Sequence, residues 1–531
     1  MKRKVIALLM AAITVTLTAC GAAQPIESPA AEQSQSSADP VQVQSGQGDK
    51  VVHLRLLCMN NMPSKEGTKQ VQDALNEYLA SLGRGYTVSF DEFLDLSSHM
   101  SGIDMALASG EDLGIVLTDY RTGNMVSSNQ LLPLDDYLQN ELKDTCELLG
   151  EEWLEAGTYN GSVYAIPVYK GVVGQTYLIY RSDIVDEIGY DVSSIQKLSD
   201  VEGLLAAVKD AHPEMDGIVP ADAGSLGYIL AEYGPNGYLI DFLGNNFFGN
   251  DSTGVLIGDS KTVENFYASD AFHDICAMAY DWSQKGLVMQ EASVSPNVAV
   301  ELFPAGTAFS TLVWNATSPE TVAAMYNAGG AYGNADSEYT YKAIPLDTQM
   351  LNASTLGLQY GIASTCSCPA EAADFMNLLW TDPQVMNLVV YGVEGTSYVV
   401  GEDGIARWPE GMDVDTVPYT EINLCGAIGN QFNLKLFEGN SSAEDLELAR
   451  KLIEDAAVSS AMGFSFDASS VSTEIAAIQT VIDQYYYPLI NGEVDPDEYI
   501  PRFTEALNNA GMEKVIEEKQ RQLDAYFENN Q

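Results

Sequence analysis

The stretch Leu107-Ala108-Ser109-Gly110-Glu111-Asp112-Leu113-Gly114-Ile115-Val116-Leu117-Thr118 decides the fold class. It joins the end of a helical run, residues 101–109, to a short unbroken apolar segment, 114–118, of the kind buried on both faces of a parallel sheet. Upstream, residues 86–90 alternate like a strand. From Ser64 onward Val71, Leu75, Tyr78, Leu79 and Leu82 recur at spacings of three and four, and Gly83 stands where a helix cap belongs. Residues 51–59 are a β-rich run ending in Asn60-Asn61-Met62-Pro63, a polar loop where a strand hands over to a helix. The order β-α-β-α-β predicts an α/β fold, a mostly parallel sheet with helices on both faces. Ligands of such folds bind outside the carboxyl ends of the strands. Asn60, Asn61, Asp119 and Tyr120 stand at those ends.

Downstream the layout repeats. Residues 161–168 read as a hairpin and strand and 176–180 as another strand; with a helix at 201–210, a second α/β region begins here. Helical signals return near 263–267 and over 272–285, and a strand-like run, 307–313, ends at Trp314-Asn315. After the glycine-rich residues 328–333, segments 339–344 and 356–362 read as strands. Pro369 opens a helix through Trp380, and Asp382-Pro383 caps and opens the next. Residues 398–400 and 405–407 flank the turn Gly401-Glu402-Asp403-Gly404 as a hairpin. Beyond Ser442, Leu446, Ala449, Leu452, Ile453 and Ala456 share one helix face, and Ile475, Ile478, Ile482, Tyr485 and Leu489 another. The C-terminus is a helical subdomain.

A chain of 531 residues is long enough for two or three domains. Lys and Arg number 25 against 75 Asp and Glu, a net charge of −50, so phosphate backbones and anionic headgroups are poor partners and no nucleic acid is expected. Only 19% of residues are charged and 46% are hydrophobic, a composition that folds. Residues 1–19 pair the basic Lys2, Arg3 and Lys4 with an apolar run, 5–17, too short to span a bilayer permanently, and read as an export signal. Leu17-Thr18-Ala19-Cys20-Gly21 resembles the lipobox of bacterial lipoproteins, which implies lipidation of Cys20 and display on the outer face of the cytoplasmic membrane. Residues 20–50, without an aromatic, read as a disordered tether. No later run reaches about 18 apolar residues, so the body is held at the membrane by its lipid. Cys58, Cys146, Cys276, Cys366, Cys368 and Cys425 permit disulfides in an exported protein without amounting to a disulfide scaffold. Cys366-Ser367-Cys368 lacks zinc-knuckle spacing and His53, His99, His212 and His273 are scattered, so no metal or other cofactor is expected. The acidic run 493–498 lacks the glycine and spaced glutamate of a calcium loop and reads as a helix entry capped by Asp495.

Several segments carry a family signal in their order along the chain. They are the opening stretch; Leu131-Leu132-Pro133-Leu134-Asp135-Asp136-Tyr137-Leu138; Gly161 to Pro167, a G-x-x-Y-x-I-P passage; Tyr391-Gly392-Val393-Glu394-Gly395-Thr396-Ser397-Tyr398; and Gly463-Phe464-Ser465-Phe466-Asp467 with Val471 and Glu474. Together they resemble the extracellular solute-binding lipoproteins of carbohydrate ABC importers, in the long subgroup with a C-terminal helical domain of uncharacterised function. Gly114 departs from the Asp common in that family. The resemblance implies a two-lobed, type II periplasmic-binding-protein-like fold with mixed, mostly parallel sheets. Residues 51–168 and 350–398 form one lobe, and 169–349 and 399–531, with the helical subdomain, the other. Crossovers near 168–174, 344–356 and 391–400 form a hinge. It further implies a monomer that clamps a sugar or oligosaccharide and delivers it to the transmembrane subunits of an ABC permease, without catalysis.

Sugars offer hydroxyls to planar polar groups and C–H faces to aromatic rings. Trp314, beside Asn315, is a stacking platform or a seal on the lobe's edge. Asp119 and Tyr120 are ligand contacts or a helix cap and surface aromatic; Asn61 stands at the first strand's end. Tyr164 touches ligand or packs the hinge. Glu394 bonds a hydroxyl or a backbone amide of its own turn. Tyr238 and Tyr360 are further aromatic candidates or half-buried packing. The competing readings are an exported glycan-active hydrolase, which needs two carboxylates across the scissile bond, and a glycan-binding sensor or adhesin without transport. No GxSxG elbow, Walker A loop or Ser-x-x-Lys set stands in a persuasive setting, which favours binding.

Overall fold

Two main sheets are built from nine strands: β1 (Lys50–Leu57), β2 (Tyr86–Phe93), β3 (Ile115–Leu117), β4 (Ala165–Pro167), β5 (Gln175–Arg181), β6 (Asp216–Ile218), β7 (Ala308–Asn315), β8 (Tyr341–Leu346) and β9 (Gln359–Ile362). This computed structural model describes residues 50–57, 63–93, 96–118, 121–220, 237–243, 253–290, 292–293, 299–327, 339–346, 351–352, 358–421, 428–439 and 442–529. The first sheet starts as the sequence predicts. Ser64 Oγ accepts the Gly67 N–H at 2.9 Å and opens helix Lys65–Ser81. That helix buries Val71, Leu75 and Leu79 completely, which brings β2 parallel to β1 from Lys50 opposite Tyr86 to Leu57 opposite Phe93. Helix Leu96–Ser109 then returns the chain to β3 on the other side of β1. Gly114, at the entrance to β3, is explained by this approach: a side chain there would collide with the His53 carbonyl, so an Asp has no room.

The first sheet has the order β2-β1-β3-β9-β4 and the second β8-β5-β7-β6. Parallel pairing holds for β1 with β2 and β3 and for β6 with β7. Strands β5 and β9, which enter after the chain has crossed from the other lobe, run antiparallel to both neighbours, so each sheet is mixed. The sequence expectation of mostly parallel sheets therefore applies to the uninterrupted β-α-β runs and not to the returning strands.

Each sheet has its own core. The first gathers Leu54, Leu75, Ile166, Tyr360, Phe375, Trp380 and Val389; the second gathers Leu178, Val201, Phe272, Phe309 and Leu346. Helices Ser472–Ile490, Pro496–Ala510 and Met512–Asn529 join the second core through aromatics: Phe503 lies 4.9 Å from Tyr267, and Tyr486 stacks on Phe272 at 6.2 Å. Asp495 caps the middle helix by accepting the Asp497 N–H at 3.0 Å. The sequence assigns 399–437 to the second lobe, but Ala406, Tyr419, Ile428 and Phe437 are buried in the first core. The hairpin of Val399–Val400 with Ala406–Arg407 follows helices Pro369–Thr381 and Pro383–Tyr391 without leaving that lobe. Among the described residues no helix is long and apolar enough to cross a membrane, and Cys146, Cys276, Cys366 and Cys368 are free thiols.

Candidate functional site

At the carboxyl end of β3 the Thr118 N–H donates to the Gln359 carbonyl at 2.8 Å, locking β3 to β9. The Thr118 and Thr122 hydroxyls are 2.6 Å apart, Thr122 Oγ1 is 2.9 Å from Gln359 Oε1, and Gln359 Nε2 donates to the Ala156 carbonyl at 2.6 Å. Each hydroxyl has one proton. Thr118 donating to Thr122, and Thr122 to Gln359, satisfies these three contacts in one direction. All three side chains are buried, so the network ties Thr118 and Thr122 to β9 through fully paired polar groups. Arg121 pins the start of helix Thr122–Ser127 with paired bonds of 3.1 and 3.0 Å to Asp104.

Three crossovers join the lobes. The first, after β4, is held where Val168 N–H meets the Leu358 carbonyl at 2.9 Å and Tyr169 N–H the Gly429 carbonyl at 3.0 Å. The Tyr169 ring stands edge-on between Trp153 and Phe432, each at 5.0 Å, and the Arg450 guanidinium lies 4.6 Å over Phe432. The second and third pair with each other, Leu351–Asn352 running parallel to Ala457–Val458. The sequence expects the third crossover at 391–400. Tyr391 and Tyr398 are instead 2% and 3% exposed in the first core, and the chain crosses after helix Ala443–Asp455. Asp445 on that helix spans the seam, accepting Ser318 N–H at 2.7 Å, Thr321 Oγ1 at 2.8 Å and Ser442 N–H at 2.7 Å. Burial alone would raise its carboxyl, but the Ser318 and Ser442 donors outweigh that and hold it below the usual range.

Trp314, half-buried near the end of β7, lies against the first crossover: a Cβ on Gly174 would meet its Cε2 at 2.6 Å. Its neighbour Asn315 is committed to a turn, accepting Thr317 N–H at 3.1 Å and Thr317 Oγ1 at 2.8 Å. Tyr164 is half-buried in a satellite cluster with Met125 and Leu131 on the first lobe. Tyr360 is a correction: it has no exposed surface and packs 6.4 Å from Trp380, whose Nε1 donates to the Pro167 carbonyl, so it holds the sheet. Tyr238 donates to Asp274 on helix Asp270–Gln284 at 2.8 Å, inside the second lobe. Glu394 is exposed in a turn bridged to Tyr398, whose phenol is pushed up to about 12 by burial and then by the Glu394 charge. The structure thus brings Trp314 to the seam and leaves Tyr238, Tyr360 and Glu394 within their own lobes. Asn61, Asp119, Tyr120 and Cys20 lie outside the described residues. Sequence reasoning missed Thr118, Thr122, Gln359, Tyr169 and Lys170. The last, in the first crossover, is lowered to about 8 by burial. A Gln inside an apolar strand and a Lys in an acid-rich chain were the available signals.

Residues 74–399 match the family described as bacterial extracellular solute-binding protein. This chain belongs to that family. A second match, residues 460–528, is to a domain of unknown function, DUF3502. In this solute-binding protein the family pattern thus runs across both sheets, and the second domain begins where the third crossover ends. A carbohydrate ABC transporter substrate-binding protein of Streptococcus pneumoniae serotype 4 is 24% identical over 451 residues, covering 82% of this chain and 84% of that one. The crystal structure of the N-glycan transport solute-binding protein NgtS of Streptococcus pneumoniae is similar in fold, with a TM-score of 0.68 at 20% identity over 91% of this chain and 100% of that one. The same protein in complex with Man5GlcNAc gives a TM-score of 0.55 at the same identity and coverage.

Proposed function

We propose that this solute-binding protein captures a sugar or oligosaccharide between its lobes and passes it, unaltered, to the transmembrane subunits of a carbohydrate ABC importer. The observation that carries the reading is the family match over 74–399, laid on two cores joined by three crossovers. Physical logic supports it. A hinge closes only if the ligand gains contacts in the closed state from both lobes. The first lobe offers the strand end at Thr118, tied to Thr122 by their hydroxyls, and the second offers Trp314 beside the first crossover. The carbohydrate substrate of the Streptococcus relative points to the same class. The lipobox ending at Cys20 supports a mature chain anchored by lipid outside the cytoplasm.

The test is a thermal-shift titration of the purified mature chain against Man5GlcNAc, lacto-N-tetraose, maltotriose and their monosaccharides. A glycan at 100 times its Kd adds about 2.7 kcal/mol to the native state. The bound glycan is then recovered by chromatography and is expected intact. A flat response across the panel overturns glycan capture, and several equivalents of cleaved product would move the protein to the hydrolase reading.

A further inference from the structure

The C-terminal helical domain packs with the second lobe, yet its first turn and last helix reach the strand-end network of the first. Phe464, Phe466, Val471 and Ile478 are buried in the second core. Between those residues, Ser465 Oγ sits where a Cβ on Gly123 would meet it at 3.0 Å, with Tyr159 Cε1 at 3.3 Å from the same point. Met462 is buried in the first core, and Gly463 rests on the Glu155 carbonyl so closely that no side chain fits. From helix Met512–Asn529, the Tyr526 hydroxyl faces Glu155 Oε1 at 3.0 Å and the Met462 carbonyl. The next residue, Ala156, takes the Gln359 amide at 2.6 Å; Gln359 takes the Thr122 hydroxyl at 2.9 Å; and Thr122 meets Thr118 at 2.6 Å. A path of consecutive contacts therefore runs from the last helix to both ends of segment 118–122.

A domain that only capped the second lobe would need only its second-lobe core. This one also carries a buried methionine, a close-packed glycine and a tyrosine hydroxyl directed at the first lobe. We propose that the C-terminal helical domain is part of the ligand-binding apparatus, with Tyr526 and Ser465 as positioning residues that hold helix Thr122–Ser127 and the strand end before it in the geometry that binds glycan. The inference deepens the functional reading above and rests on it. Neither residue touches ligand in this scheme. Both act through Glu155, Gly123 and the threonine–glutamine network, and loss of either loosens a site they do not line.

The experiment is calorimetric titration of Man5GlcNAc into the mature chain, with dissociation rates by surface plasmon resonance. Tyr526→Phe is expected to weaken binding roughly three- to tenfold, the worth of one hydrogen bond, mainly through faster dissociation. Its ligand-free melting temperature should stay close to wild type, a split that a purely structural role would not produce. Glu155→Gln keeps the acceptor and is expected to retain wild-type affinity, whereas Glu155→Ala, on the other side of the same bond, reproduces Tyr526→Phe and serves if that variant does not fold. Ser465→Ala is expected to weaken binding in the same direction, and combined with Tyr526→Phe to add less than the sum of the two. Unchanged affinity in both Tyr526→Phe and Glu155→Ala overturns the proposal alone. A wild-type chain that binds no glycan of the thermal-shift panel, Man5GlcNAc included, overturns it together with glycan capture.

Discussion

His99 has no exposed surface, and burial, followed by the positive charges of Arg55 and Arg121, pushes its imidazole down to about 4. The folded protein therefore keeps it neutral down to that pH, while the unfolded chain takes up the proton near the ordinary value of about 6.5. Between those limits the unfolded state binds more protons, so stability falls as pH drops, by up to about 3 kcal/mol near pH 4. Urea unfolding at about pH 7 and about pH 4.5 is expected to show a smaller loss for His99→Gln than for wild type; equal losses would place the sensitivity elsewhere. Trp314 makes a second test at this scale. Its half-buried position beside Gly174 predicts that Trp314→Ala weakens glycan binding by about 1 to 3 kcal/mol while the ligand-free melting temperature changes little. A ligand-free loss of about 3 to 5 kcal/mol with unchanged affinity would make it a seal of the lobe edge. Trp314 was legible as a candidate because strand ends face clefts. Tyr360 carries no such sign, since an isolated tyrosine reads alike as a ligand contact or as packing until Trp380 is found against it.

Helix Ala443–Asp455 ties two regions together from one side chain. Its capping residue Ser442 accepts the Asp445 N–H at 3.1 Å, Asp445 answers at the Ser442 N–H, and the same carboxylate caps Ser318 across the seam. Because the Asp445 carboxyl lies below its ordinary range, its contribution is present above that range and is lost as pH falls through the folded value. Asp445→Ala removes the shared acceptor of part-buried donors on two elements at once. It is expected to lose roughly 2 to 4 kcal/mol in denaturant unfolding, with Asp445→Asn less affected. A loss below about 0.5 kcal/mol would show that the bridge is not coupled to folding. Element identity was readable here and in most of the chain, since Leu452 and Ile453 mark the helix face and Pro369, Asp382 and Asp495 mark starts that the structure keeps. Element partnership was less so: the 398–407 hairpin reads the same whichever lobe it joins.

At the scale of the molecule, the proposed capture requires the two cores to close about the seam that the crossovers share. A saturating glycan that stabilises the chain in the thermal-shift panel is expected to reduce the radius of gyration in small-angle scattering, and an identical value with and without it would sink the hinge. Cys20→Ala is expected to release the protein from the membrane into the medium. Retention of that variant after a salt wash would point to an anchor other than the lipid.

The order of residues alone determined the α/β class, the start of most helices and the place of the chain among solute-binding proteins, because periodicity, caps and local motifs are read within a few turns of chain. The tertiary structure alone decided the antiparallel entry of β5 and β9, the third crossover after helix Ala443–Asp455 and the contact of Tyr526 with Glu155. Those depend on which distant segments meet. Tyr526 and Glu155 stand 371 residues apart, and no local pattern records that their side chains share one bond.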